Sequence, residues 1–292
     1  MSTLLVSRIR RRQRTRGAVV VAAAAGIALV LLLLALGLGA AGVPPQRALP
    51  AVFGIGDRLD LLVVQQLRLP RALAAVLAGA AFGLAGALFQ STLRNNLASP
   101  DILGISGGAS LGAVTAVVGY GASGGAVTLS ALGGGLAAAV AIWALAWRGG
   151  LHGLRFVLVG VGVSYVCASL ISWRLSEADH RDAGTVLLWT VGSVADVRDE
   201  LLGLLAVGVA VLAAMAALVG REQRPLALGD DHATALGVRT ARARGAALLI
   251  GVGLVAQVGG QCHVLQHLLH HPLGARVRGA GGEPVVLADL EV

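Results

Sequence analysis

Lysine is absent from this chain: all 23 basic residues are arginine. A Walker A loop needs a lysine to reach the terminal phosphates of its nucleotide, so the chain carries no standard P-loop, and any ATP and Mg it depends on must sit on another subunit. Charge of either sign is scarce, 13% of 292 residues against 56% hydrophobic. That balance excludes an ordinary soluble domain and fits a polytopic membrane protein. Aromatic residues make up only 3%, so belts of tryptophan and tyrosine give little guide to membrane depth. The two cysteines are Cys167, inside an apolar run, and Cys262, near the end; they supply no disulfide framework. A net charge of +8 raises the question of nucleic acid. The arginines, however, are spread over links between apolar runs and are not gathered on one face, which excludes that partner.

What the chain does contain is a ladder of apolar runs. Residues 1–16 hold six arginines and no acid, a basic tail, and Gly17 to Val43 is uncharged and longer than the ~20 residues a bilayer core requires. A secretory signal would have an apolar region of only ~7–15 residues, so this run reads as an uncleaved first span with a cytoplasmic N-terminus. Further spans are expected at 71–90, 101–120, 124–147, 154–175 and 201–220, with a shorter seventh at 245–260. The fold class is therefore all-α, a transmembrane helical bundle over residues 17–260, in the cytoplasmic membrane and surrounded by lipid. Loop charge agrees with this count. Links placed inside hold Arg94, Arg148, Arg155, Arg221, Arg224, Arg239, Arg242 and Arg244, whereas the link 174–200, placed outside, holds six acids against Arg174, Arg181 and Arg198.

The chain is organised around residues 68–112. Arg68, Pro70 and Arg71 precede nineteen uncharged residues, Ala72 to Gln90. A new helix is expected at Ser99-Pro100-Asp101: Ser99 as N-cap, Pro100 where no amide hydrogen is needed, Asp101 in the favourable field of the helix dipole. Gly79 and Gly83 stand four apart, and Gly104, Gly108 and Gly112 repeat that step, giving each helix a smooth stripe for close helix packing.

Two links are longer than turns require. Residues 183–195 are apolar but too short to span, and read as a helix lying at or dipping into the outer surface. The internal link 221–244 contains a helical segment from Asp230 to Leu236 closed by Gly237, a protruding cytoplasmic helix that suggests a docking surface.

These features together resemble the permease subunits of binding-protein-dependent ABC importers for iron-siderophores, haem and cobalamin. The resemblance rests on Arg68-Leu69-Pro70-Arg71, on Gln90, and on Arg94-Asn95-Asn96-Leu97-Ala98-Ser99-Pro100-Asp101-Ile102-Leu103-Gly104, in which Asn96 replaces the family's usual proline. It continues through Trp189-Thr190-Val191-Gly192-Ser193 and Leu226-Ala227-Leu228-Gly229 to Leu236-Gly237-Val238, covering roughly residues 17–255. It implies that Arg68 and Arg71 face glutamates of an extracytoplasmic substrate-binding protein; the competing reading has them snorkel to lipid headgroups. It implies that Leu228, Gly229, Asp230, Asp231, Ala233, Leu236 and Gly237 form the coupling helix seated on one of two ATPase subunits, against the competing reading of a solvated loop. His152, Gly153 and Leu154 align with a turn that narrows the cytoplasmic end of the pathway in the cobalamin relative, where Leu154 is bulkier than the family's small polar residues. The pore is expected between two permease subunits, identical or paralogous, lined partly by the fifth span, where Gly160 and Gly162 lower the bulk. The 99–112 segment and residues 171–179 look closest to the ferric-siderophore branch, so a ferric siderophore is the expected cargo. No covalent chemistry, catalytic residue or cofactor on this chain is expected.

After about Val255 the resemblance stops. The family's ten-span layout continues, whereas residues 261–292 are a polar tail with the look of a truncated copy or a shifted frame, and a defective remnant is the second reading. The tail holds Cys262, His263, His267, His270 and His271. His263, His267 and His270 share a helical face at a spacing that holds zinc, copper or haem iron, which makes a membrane metalloprotein the third reading. Pro272 closes that run and no acidic second partner is near, which weighs against a metal there.

Overall fold

The computed structural model describes residues 2–38, 43–122, 125–147, 153–177, 192–194, 199–226, 230–237 and 239–261, and among them there is no strand. Nine helices follow one another among the described residues. They are α1 (Ser2–Gly37), α2 (Pro45–Val52), α3 (Arg58–Leu93), α4 (Ile105–Gly119), α5 (Gly125–Ala146), α6 (Gly153–Glu177), α7 (Asp199–Leu226), α8 (Asp230–Ala235) and α9 (Thr240–Gln261). Six of them, α1, α3, α5, α6, α7 and α9, contain stretches long and apolar enough to cross a membrane.

Burial orders these spans from periphery to centre. Only 6% of the apolar window of α1 is buried, against 56% of that of α9. Helix α9 packs on α3, α4, α5 and α7, and so forms the middle of the bundle. Its Gln257 donates to the Leu204 and Leu205 carbonyls of α7, at 3.3 and 3.4 Å, a polar tie of the kind that joins helices where hydrocarbon gives no hydrophobic drive. The core between these helices is filled by Phe89, Leu103, Ile105, Ile142, Leu205 and Leu254, all buried.

The first span ends at Gly37 and not Val43, the helix of the sixth span runs on to Leu226 and not 220, and three further spans differ from those expected. The second span does not begin after Arg71, because α3 runs unbroken from Arg58 for 36 residues. Its Leu62–Arg68 portion is a π-helix. Pro70 lacks an amide hydrogen and its ring crowds the carbonyl four residues back, and the wider π turn just upstream gives that ring room without ending the helix.

The third span starts later and is shorter than expected. Ser99 does cap a turn, its hydroxyl accepting from the Ile102 amide at 3.3 Å and its carbonyl from Leu103 at 3.0 Å. Gly104 then takes the left-handed conformation (φ 76°), so Pro100 and Asp101 lie in that turn and α4 begins only at Ile105. Ten α-helical residues and five π-helical ones follow. At 1.5 Å per residue this is about 22 Å, short of the ~30 Å hydrocarbon core. A side chain at 104 is excluded twice, by the positive φ and by Ser164 of α6, whose hydroxyl would lie 2.7 Å from a Cβ there.

The seventh span is longer than expected, 22 residues from Thr240 to Gln261. Arg242 and Arg244 read as loop residues in sequence but belong to the first turns of α9, where Arg242 is exposed and Arg244 half-buried. Gly125–Ala146 and Gly153–Glu177 lie within two residues of the expected fourth and fifth spans. The expected surface helix at 183–195 falls outside the described residues apart from 192–194.

Candidate functional site

The sequence places its candidate residues in two groups, and α3 carries one at each end. At its N-terminal end Arg68 closes the π segment. Its guanidinium donates to the carbonyl of Leu36, at 2.8 Å, and to that of Val43, at 3.5 Å. Leu36 is in the last turn of α1, whose carbonyls have no partner within the helix. Arg68 is thus a half-buried cap that ties α1 to α3, while Arg71, one turn on, is exposed. The pair that looks equivalent in sequence is divided by the fold.

This division gives an expected result. Arg68→Ala strands the Leu36 carbonyl, a loss of about 1–3 kcal/mol for a group out of contact with water. A thermal-unfolding scan in detergent should show a lower midpoint for Arg68→Ala and none for Arg71→Ala. Equal midpoints for the two variants would contradict the cap.

At the other end α3 stops at Leu93, and Arg94 is the one non-glycine residue with positive φ (50°) among those described. The turn that follows is built by its own polar groups: the Asn95 side chain accepts from the Leu97 amide at 2.9 Å, and Gln90 donates to the Asn96 carbonyl at 3.3 Å. Three further elements arrive here. Helix α7 terminates at Leu226 just after Pro225. Helix α8 closes on Gly237 (φ 81°), as its sequence suggests. The first turn of α9 completes the group, with Leu226, Ala233 and Ala243 buried together in a small core. Ala233 thus seats α8 on the bundle, while Leu236 is 65% exposed. Asp230 and Asp231 open α8; Leu228 and Gly229 lie outside the described residues.

The expected gate turn lies at this same end. Gly153 opens α6 so close to the Leu93 carbonyl that a Cβ could not fit. Leu154 is 68% exposed, and His152 lies outside the described residues. The cluster of Cys262, His263, His267, His270 and His271 also lies outside them; among the described residues no group of three metal-ligating side chains occurs.

The glycine stripes have different neighbours. Gly108 and Gly112 of α4 press backbone to backbone on Gly134 of α5, with no room for a Cβ at any of the three. Gly79 and Gly83 of α3 face no described residue within 4 Å. Gly160 of α6 is used up against the Leu103 backbone, at 3.0 Å, whereas Gly162 stands open. The fifth span therefore offers Gly162, not Gly160, to an open face. An apolar cavity of about 330 Å³ lies among α3, α4, α5, α6 and α9, lined by residues such as Phe89, Trp143, Phe156 and Leu248 and by no charged side chain.

Sequence reasoning passed over Thr92, Gln223 and Ser164. Buried Thr92 donates to Gln223 at 3.4 Å, and Gln223 donates to the Ala243 carbonyl at 3.5 Å, joining α3, α7 and α9. Ser164 donates to the Ile102 carbonyl at 3.0 Å and holds the pre-α4 turn to α6. The available signal was a polar side chain within or at the end of an apolar run, where it must find a partner.

A helical bundle with six membrane-length spans, arginine at one end of α3 and a short helix at the other, is that of a multi-pass membrane protein. Residues 27–259 match the FecCD transport family, and the chain belongs to that family. It is 39% identical over 206 residues to the ferric enterobactin transport system permease protein FepG of Escherichia coli (strain K12), covering 70% of this chain and 62% of that protein. It is 38% identical over 216 residues to the achromobactin transport system permease protein CbrC of Dickeya dadantii (strain 3937), covering 72% and 61%. With the vitamin B12 import system permease protein BtuC of Vibrio cholerae it shares 33% over 237 residues, 77% of this chain and 71% of that protein. The chain thus spans less than two thirds of FepG and of CbrC. The fold is that of a solved metal-chelate type ABC transporter in an inward-facing conformation, with a TM-score of 0.68 at 24% identity over 80% of this chain and 73% of that one.

Proposed function

We propose that this chain is the transmembrane permease subunit of an ABC importer that moves ferric-siderophore complexes across the cytoplasmic membrane, with its N-terminus inside. The observation that carries this reading is the family match over residues 27–259, within which FepG and CbrC are named for siderophore transport. ATP and Mg belong to two ATPase subunits seated on α8, whose exposed Leu236 supplies an apolar contact and whose Ala233 passes force to the bundle. An extracytoplasmic binding protein docks at the opposite end on Arg71, an exposed fork suited to a carboxylate. The pathway lies between two permease subunits, with the open faces at Gly79, Gly83 and Gly162 available to it.

The test is uptake into proteoliposomes containing the permease with its ATPase. Radiolabelled ferric enterobactin and ferric achromobactin are presented with the cognate binding protein. ATP-dependent accumulation of either cargo is the expected result; failure of both, with cobalamin accumulating instead, would overturn the cargo assignment.

A further inference from the structure

Leu226 occupies a singular place at the inner end of the bundle. Its side chain is 2% exposed and packs under Ala233 of α8 and beside Ala243 of α9. Its carbonyl accepts a hydrogen bond from the Arg94 guanidinium. Leu226 is the last residue of α7, so its carbonyl is among the terminal acceptors of that helix, and a cation beside it also meets the negative end of the helix dipole. One residue therefore touches the short protruding helix through its side chain and α3 through its backbone. Arg94 in turn follows Leu93, against whose carbonyl α6 begins at Gly153.

We propose that Arg94 is a positioning residue that clamps α8 to the end of α3. A displacement of α8 is then delivered through Leu226 and Arg94 to α3 and to the Gly153–Leu154 start of α6. The contact between Thr92 and Gln223, one turn deeper, keeps α3 and α7 in register, so that the ends move as one body. Nothing in this chain of contacts requires Arg94 to touch cargo or nucleotide. The coupling role rests on the proposed function; the clamp itself is a property of the permease alone.

The test uses the full chain in lipid nanodiscs with Cys167 and Cys262 replaced by alanine, and nitroxide labels on cysteines at the exposed positions Leu97 and Ala235. The interspin distance reports how firmly α8 is held to the end of α3. The unsubstituted clamp should give one narrow distribution. Arg94→Asn keeps a residue that tolerates the left-handed conformation but removes the guanidinium, and should broaden the distribution about twofold by freeing the local opening of α8. Arg94→Lys, with charge and reach but no fork, should fall between. Native width in Arg94→Asn would overturn the clamp. Should that variant not accumulate, native width in Arg94→Lys would overturn it equally. In the complex with its ATPase, Arg94→Asn should keep ATP hydrolysis and lose about tenfold in cargo moved per ATP, a coupling loss of ~1.4 kcal/mol. An equal fall in hydrolysis and transport would remove the coupling role. A native permease that binds no ATPase would overturn the proposed function, and the distance widths would still decide the clamp.

Discussion

Arg71→Glu should abolish cargo delivery at ordinary binding-protein concentrations while leaving the permease folded and inserted. The side chain is exposed and a full turn beyond the α1 cap, so its replacement leaves the Arg68 tie between α1 and α3 in place. Facing a carboxylate of a docked partner, the new glutamate exchanges a charge-assisted pair for repulsion, which costs several kcal/mol. At about 3 kcal/mol the affinity for the binding protein falls roughly a hundredfold. The loss should therefore be recovered by raising the binding protein, and Arg71→Lys should be intermediate, since an ammonium keeps the charge without the fork. Titrating binding protein against uptake measures all three. Native affinity in Arg71→Glu would remove this residue from the docking surface.

Gly134→Leu should have the largest effect on the fold. A Cβ at 134 already collides with the Gly108 carbonyl and lies 3.0 Å from the Gly112 backbone. A leucine can enter only if α4 and α5 separate, and close backbone contact is what holds such helices together where lipid is as apolar as the side chains. A cost above about 4 kcal/mol is expected, enough to unfold a marginal protein. The neighbouring Gly133 has no described atom within 4 Å of a Cβ, so Gly133→Leu should be tolerated. The yield of monodisperse permease from solubilised membranes compares the pair. Equal yields would show that the seam is not tight.

These two glycines also show how far the sequence could be read. Spacing of four identified smooth stripes in both stretches alike, yet Gly104, Gly108 and Gly112 meet another backbone whereas Gly79 and Gly83 meet no described residue. Spacing describes a face; it does not say what lies on it. The apolar runs of α5 and α6 were legible to within two residues because no charge falls within Gly125–Ala146 or between Arg155 and Arg174. Helix α3 was read too short because Arg68 and Pro70 resemble a boundary; the carbonyls that Arg68 satisfies belong to Leu36 of α1 and to Val43, 32 and 25 residues earlier. The start of α4 was hidden by a single dihedral at Gly104.

The candidate sites followed the same rule. The segment closed by Gly237 was readable because its stop signal is local, and the exposed Leu236 came with it. The equivalence of Arg68 and Arg71 did not survive folding, and the contacts of Leu226 could not be seen at all, since its important group is a backbone carbonyl.

The central claim is that this chain is a passive conduit whose energy enters through α8. It is tested most directly by placing a photo-crosslinking residue at Leu236 in the complex purified with its ATPase, and following the crosslink alongside ATP-driven uptake. The expected result is a crosslink to the ATPase chain, lost together with uptake in a Leu236→Asp permease that still inserts normally. ATP-driven uptake that persists in Leu236→Asp, with no crosslink from position 236, would contradict it.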